Sequence, residues 1–225
     1  MSLAQHLSDS LPDGLPGLFH PWRSTCPFDA AGTPCGAPKN RLHRLERHLD
    51  CDPVLLLIGE ACGYQGCRYS GIAFTSERLL LEGRIPRLEG ESSRLSQRWK
   101  PFSEPSATIV WRTLGVLGVA ERTVLWNALP LHPHQHERPW SNRTSRMDEI
   151  SIGFEALHLI LLHFRGATVV AVGRKAEAAI RLAGLPCHGA IRHPANGGAA
   201  AFAKGLGAVI GKEGLRFRTG CWSSP

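Results

Sequence analysis

The chain is expected to fold as a three-layer α/β/α domain around a central four-stranded, mostly parallel sheet. Continuous apolar runs at residues 54–58, 124–127 and 168–172, with a shorter one at 190–191, suit strands covered on both faces. Segments with apolar residues at helical spacing alternate with them, as parallel strands joined by crossover helices require. The loops after the four strands hold Gly59-Glu60, Asn127-Ala128, Val172-Gly173 and His193-Pro194, and in a parallel sheet those loops share one rim, where open α/β folds bind ligands.

Each element has its own local reason. Residues 1–40 are rich in Pro, Gly, Asp and Ser and read as an irregular arm with one short helix near 3–7. Leu42, Leu45 and Leu49 give 41–51 an amphipathic helical pattern leading into the first strand. Residues 71–84 are expected to be helical, with Leu79 to Leu81 as the apolar face and Thr75 or Ser76 as cap. Residues 106–117 carry Ile109, Val110, Leu114 and Leu117 at helical spacing, and Gly118 ends them. Three prolines and three histidines make 130–146 a long loop. The clearest helix spans 148–164, where Ile150, Phe154, Leu157 and Leu161 share a face and acidic residues open the first turn. Helices over 173–182 and 199–210 complete the pattern. No polar linker divides the chain, so residues 1–225 are read as a single domain with 1–40 as its arm.

With 43% apolar residues in 225, the chain can bury a full core, and a formal charge of +7 favours a polyanionic partner. No secretory pattern or apolar run of membrane-spanning length is present, so the expectation is a soluble, cytoplasmic protein with no membrane partner. Seven cysteines form an odd set without a Cys-x-x-Cys pair, which speaks against a disulfide framework or a zinc site. Cys26, Cys35, Cys62 and Cys67 match no standard iron-sulfur spacing. His132, His134 and His136 lack ligand-like companions, so no metal and no cofactor is expected.

Three motifs carry a family resemblance. Gly59-Glu60-Ala61-Cys62-Gly63 is similar to the Gly-Glu-Ala-Pro-Gly of several branches of the uracil-DNA glycosylase superfamily. Residues 66–77 resemble a branch pattern Gly-x-Arg-x-Gly-x-x-Phe-Thr-Gly-Asp, with one extra residue between Arg68 and Gly71. His193-Pro194-Ala195-Asn196 resembles the superfamily's His-Pro-Ser segment. The resemblance, with Asn127, spans residues 54–210. It departs at Cys62, where related motifs place Pro, and at Glu77, where the branch has Asp.

That resemblance implies a monofunctional glycosylase hydrolysing the bond between uracil and deoxyribose to start base-excision repair. A flipped base must be stacked and read on its Watson–Crick edge, and the leaving anion needs donors. Asn127 is expected to pair with uracil N3 and O4, Phe74 to stack, His193 to donate to O2, and Tyr64 to exclude the thymine methyl. The backbone of Gly59 and Ala61 shapes the pocket. Two carboxylates compete for the attacking water, Glu77 favoured over Glu60. Cys62 is expected to tolerate the loop backbone, a reactive thiol being the alternative.

Arg192, Asn196, Gly197, Gly198 and Lys204 are expected to approach DNA phosphates, with Phe202 as the bulky apolar wedge. The partner is uracil-containing DNA, single- or double-stranded, met by a monomer at the bacterial nucleoid. A second reading is a protein that traps uracil-DNA without turnover, and a third an enzyme acting on free nucleosides.

Overall fold

A computed structural model describes residues 1–90 and 93–214 of the chain. In chain order these form α1 (Leu3–Asp9), β1 (Leu18–Phe19), α2 (Ala37–Leu49), β2 (Leu55–Ala61), α3 (Cys67–Ser70), α4 (Glu77–Leu81), α5 (Pro105–Val116), β3 (Thr123–Leu129), β4 (His132–Pro133), α6 (Met147–Ser151), α7 (Phe154–His163), β5 (Thr168–Val172), α8 (Arg174–Leu182), β6 (Gly189–Ile191) and α9 (Ala199–Lys212). Four strands build one parallel sheet in the order β3-β2-β5-β6, and β1 pairs antiparallel with β4 beside it.

Strand alternation sorts the core into two layers. Leu56 and Ile58 of β2, with Val124, Trp126, Val169 and Ala171, face α1, α2, α7 and α8. Leu55 and Leu57, with Leu125, Val170 and Val172, face α4, α5 and α9 on the other side. Every residue from Leu55 to Ile58 is fully buried, because both faces of a central parallel strand are covered by helices.

Two sequence expectations are corrected. The helix expected over 71–84 is reduced to α4, because Gly71 sits at φ +82 against the Arg41 backbone and Phe74 adopts φ 49, conformations no helix accommodates. The helix expected over 148–164 breaks into α6 and α7 around Ile152 and Gly153. A Cβ on Gly153 would stand 1.9 Å from the Ala128 carbonyl oxygen, so the chain bends where it presses on the β3 backbone. The arm, which holds α1, packs into the core. Leu7, Leu11 and Trp22 enter the core, and Trp22 stacks on Trp126 at 5.6 Å with an interplanar angle of 1°. Buried Arg41 ties the arm down through Asp29 and the Ser24 carbonyl, both at 2.8 Å.

Among the described residues no helix is long and apolar enough to cross a membrane. Six cysteines are free thiols, and Cys221 lies outside the described residues.

Candidate functional site

The carboxyl ends of β2, β3, β5 and β6 open into one cleft of about 560 Å³, lined among others by Glu60, Ala61, Phe74, Asn127, Val172, Lys175 and His193. Parallel register explains the convergence: Gly59 of β2 lies directly opposite Asn127 of β3. A Cβ on Gly59 would stand 2.6 Å from Asn127 Oδ1 and 2.7 Å from the Phe74 ring. Only a residue without a side chain lets an amide and an aromatic ring meet there. His193 comes from the far strand, its ring 5.9 Å from that of Phe74 and tilted by 40°.

His193 has a defined tautomer. The Ala195 N–H donates to its Nδ1 at 3.1 Å, which leaves the proton of the neutral ring on Nε2. Partial burial holds its pKa below the ordinary histidine value, with Arg192 adding to the shift and Glu60 opposing it. The ring is therefore a neutral donor at pH 7. Asn196 and Gly197 keep the turn tight at φ 53 and φ 74.

Glu60 lies in the cleft, held by two groups that only the tertiary structure supplies. The Ser145 N–H donates to Oε1 at 3.2 Å, and Lys175 Nζ lies 3.3 Å from the same oxygen. Lys175 also donates to the Ser145 carbonyl at 2.8 Å. The loop carrying Ser145 is braced by Arg143, which donates to both Glu149 oxygens at 2.7 Å. The two Arg143 hydrogen bonds lower the Glu149 carboxyl pKa, outweighing the opposing effect of burial.

Glu77 is not in the cleft. Its carboxylate is fully buried and accepts from the N–H groups of Leu95, Ser96 and Phe102 at 3.1, 3.0 and 3.2 Å. The Ser96 hydroxyl donates at 2.6 Å, and Arg94 Nε lies 3.5 Å away. An acid saturated with donors and shut off from solvent has no capacity to take a proton from water, so the role expected of Glu77 is corrected to a structural clasp. Phe202 is corrected likewise: it is 0% exposed in the core between α9 and the sheet, and cannot reach DNA. Tyr64 does not line the cleft. Its ring packs edge-on against Tyr69 and Phe102 at 5.6 and 5.4 Å, and its N–H donates to Asn142 Oδ1 at 2.8 Å.

Ala61 lines the cleft, and Arg192 and Asn196 are exposed at its edge. Gly197 is exposed, while Gly198 is buried, and a Cβ there would meet the His193 carbonyl oxygen at 2.1 Å. Lys204 is exposed on α9, outside the cleft lining. Cys62 lines the cleft as a buried thiol whose pKa is pushed up by desolvation and then by the Cys67 thiol beside it, so it stays protonated and unreactive. His132 is a structural histidine, its Nδ1 bonded to Arg68 at 2.8 Å and its Nε2 to the Ser141 carbonyl at 3.0 Å. Burial and the Arg68 charge pull its pKa down to about 3.

Sequence reasoning missed Glu104 and the partnership of Lys175 with Glu60. Glu104 reaches the cleft beside Gly63, and a Cβ on Gly66 would collide with its Oε2 at 1.8 Å. Desolvation raises its carboxyl pKa, opposed by a hydrogen bond from the Ser106 hydroxyl. In the sequence it reads only as an acid before Pro105 at a helix start.

The fold has a known counterpart. The crystal structure of wild-type Pedobacter heparinus SMUG2 is similar with a TM-score of 0.64, covering 96% of this chain and 100% of that one at 14% identity. At that identity the likeness shows the fold. No protein-family model and no curated protein matches the sequence.

Proposed function

We propose that this protein is a monofunctional uracil-DNA glycosylase of base-excision repair that needs no metal or cofactor. The observation that carries this reading is the meeting of Asn127, Phe74 and His193 around Gly59, with the Glu60 carboxylate in the same cleft. The fold shared with SMUG2, a protein of the uracil-DNA glycosylase superfamily, supports it. The Asn127 amide makes no hydrogen bond to another described residue and is free to pair with a base edge.

A uracil turned out of its strand would enter with its face on Phe74 and its N3–H and O4 on Asn127. The glycosidic bond breaks with its electron pair leaving on the base, giving a uracil anion and an oxocarbenium-like sugar. His193 Nε2–H donates to O2 as that charge grows, and one such donor contributes on the order of 10²–10³ in rate. A water oxygen then adds to C1′ and loses a proton to Glu60. Lys175 and the Ser145 N–H hold Glu60 in place for that transfer. Arg174, Lys175 and Arg192 give the rim its positive charge toward phosphates.

The test is excision from uracil-containing single- and double-stranded oligonucleotides with EDTA present. Free uracil and an alkali-labile abasic strand are expected. An intact strand under both conditions would sink the proposal, and an adduct that survives denaturation without free uracil would replace it with the trapping reading.

A further inference from the structure

α7 is apolar around more of its circumference than the core uses. Residues 157–162 are apolar but for His158, yet in α7 only Ala156, Leu157, Ile160 and Leu161 are buried. Leu159 is partly buried, and Leu162 is 66% exposed. A helix that is apolar all round is one expected to be covered all round.

The uncovered side opens into a groove of about 370 Å³. α7 contributes Leu159 and Leu162 to it, the turn after α7 contributes Arg165, and the segment entering β6 contributes Leu185, Pro186 and His188. Because the strands are parallel, a groove at the start of β5 and β6 lies at the opposite end of the sheet from the cleft, and the two share no lining residue.

Its polar side chains are His158, Arg165 and His188, and among the described residues no acid lines it. The Arg165 guanidinium makes no ion pair or hydrogen bond with a described residue. The Val169 N–H donates to His188 Nδ1 at 2.9 Å, which leaves the proton of the neutral ring on Nε2 as a free donor. An unpaired guanidinium and an N–H beside an apolar groove are complementary to carboxylates flanking a bulky apolar side chain. A second copy of this chain, itself at +7, would bring the same acid-free patch to a symmetric contact and supply no counter-charge. A bilayer surface has no protruding anchor for a concave site, whereas a peptide side chain inserts into one.

We propose that this groove docks an acidic peptide segment of a partner protein, with a bulky apolar side chain seated against Leu162 and Leu185 and carboxylates on Arg165 and His188. The assignment is independent of the glycosylase reading. Its place at the far end of the sheet leaves the cleft open while the partner is bound.

The experiment selects peptides from a displayed library of random short sequences on the full chain, then measures the enriched ones by fluorescence anisotropy. The proteins are wild type, Leu162→Ser, Arg165→Glu and, as a control of equal charge change at the end of α9, Lys212→Glu. Enriched peptides are expected to carry Asp or Glu beside Leu, Phe or Trp. Leu162→Ser and Arg165→Glu should each weaken binding by about tenfold, and Lys212→Glu by less than about twofold. Thermal unfolding should not move, since all three side chains are exposed. No enrichment, enrichment of peptides without acids, or wild-type affinity in both groove variants overturns the proposal. Arg165-dependent binding of phosphatidylglycerol vesicles with no peptide enriched would replace the partner with a lipid surface, and a dimer that Leu162→Ser dissolves in sedimentation would replace it with a second copy. Uracil excision by Arg165→Glu, assayed alongside, is expected to match wild type, so failure of the docking site and failure of the glycosylase are read separately.

Discussion

Glu60 and Glu77 begin from similar positions and end in opposite surroundings. Each follows the apolar run or its loop, and each could be a water-activating acid by residue type. Glu60 sits on the carboxyl end of a strand, where its carboxylate opens into the cleft and is steadied by one N–H and one ammonium. Glu77 opens α4 beneath a surface loop and accepts from three backbone N–H groups and a hydroxyl. The difference teaches that unfilled hydrogen-bonding capacity facing a cavity, more than a place in a motif, separates a carboxylate with room for water from one that clasps a loop. A saturated acid stabilises a loop; a partly satisfied one has room for water.

Substitution should separate these roles. Glu77→Ala strands several buried donors and Arg94, so we expect a stability loss of roughly 3–5 kcal/mol in denaturant unfolding. Glu60→Gln should leave unfolding nearly unchanged while slowing single-turnover uracil release by about 10²–10³-fold. If Glu77→Gln instead kept full stability and lost activity, the contrast between the two acids would collapse.

His193→Ala and Asn127→Ala should each slow the same step by about 10²-fold or more without altering the unfolding midpoint, because both face the cleft. Gly59→Ala is expected to cost about 10²-fold in rate, as its methyl group displaces Asn127 and Phe74 together. Wild-type turnover in Gly59→Ala would show that their meeting point is not the base site.

Taken one histidine at a time, the smallest effects are those of pH. Burial lowers the pKa of His20 to about 4 and of His132 to about 3, while the unfolded chain titrates near the ordinary histidine value. The unfolded state therefore binds the extra protons, and stability falls as pH drops below about 6.5. Each should cost about 2 kcal/mol by pH 5, measurable in urea titrations at several pH values. His193, its pKa lowered chiefly by burial, should remain neutral and keep uracil release level through neutral pH. The rate should fall only on acidification below the ordinary histidine range, where protonation of Nδ1 displaces the Ala195 N–H.

The sheet was legible because covered parallel strands need uninterrupted apolar residues, and β5 coincides with the expected 168–172 run. Strand ends were legible for the same reason, which brought Gly59, Asn127 and His193 into view. The arm was harder to read, since Leu7, Leu11 and Trp22 are scattered among turn residues with no period. The bend at Gly153 follows from contact with Ala128, 25 positions earlier in the chain, and no local pattern records it.

The sequence by itself determined the alternation of strands and helices, the positive charge, and the three residue types that meet at the cleft. The first two follow from periodicity and composition, which act locally, and the third is read from the motifs that carry the family resemblance. Only the tertiary structure decided which carboxylate faces the cavity, that Phe202 belongs to the core, and that Leu162 is left in solvent. Those outcomes depend on which distant backbone groups and side chains arrive beside each residue: Leu95, Ser96 and Phe102 close around Glu77, while Ser145 and Lys175 leave Glu60 open.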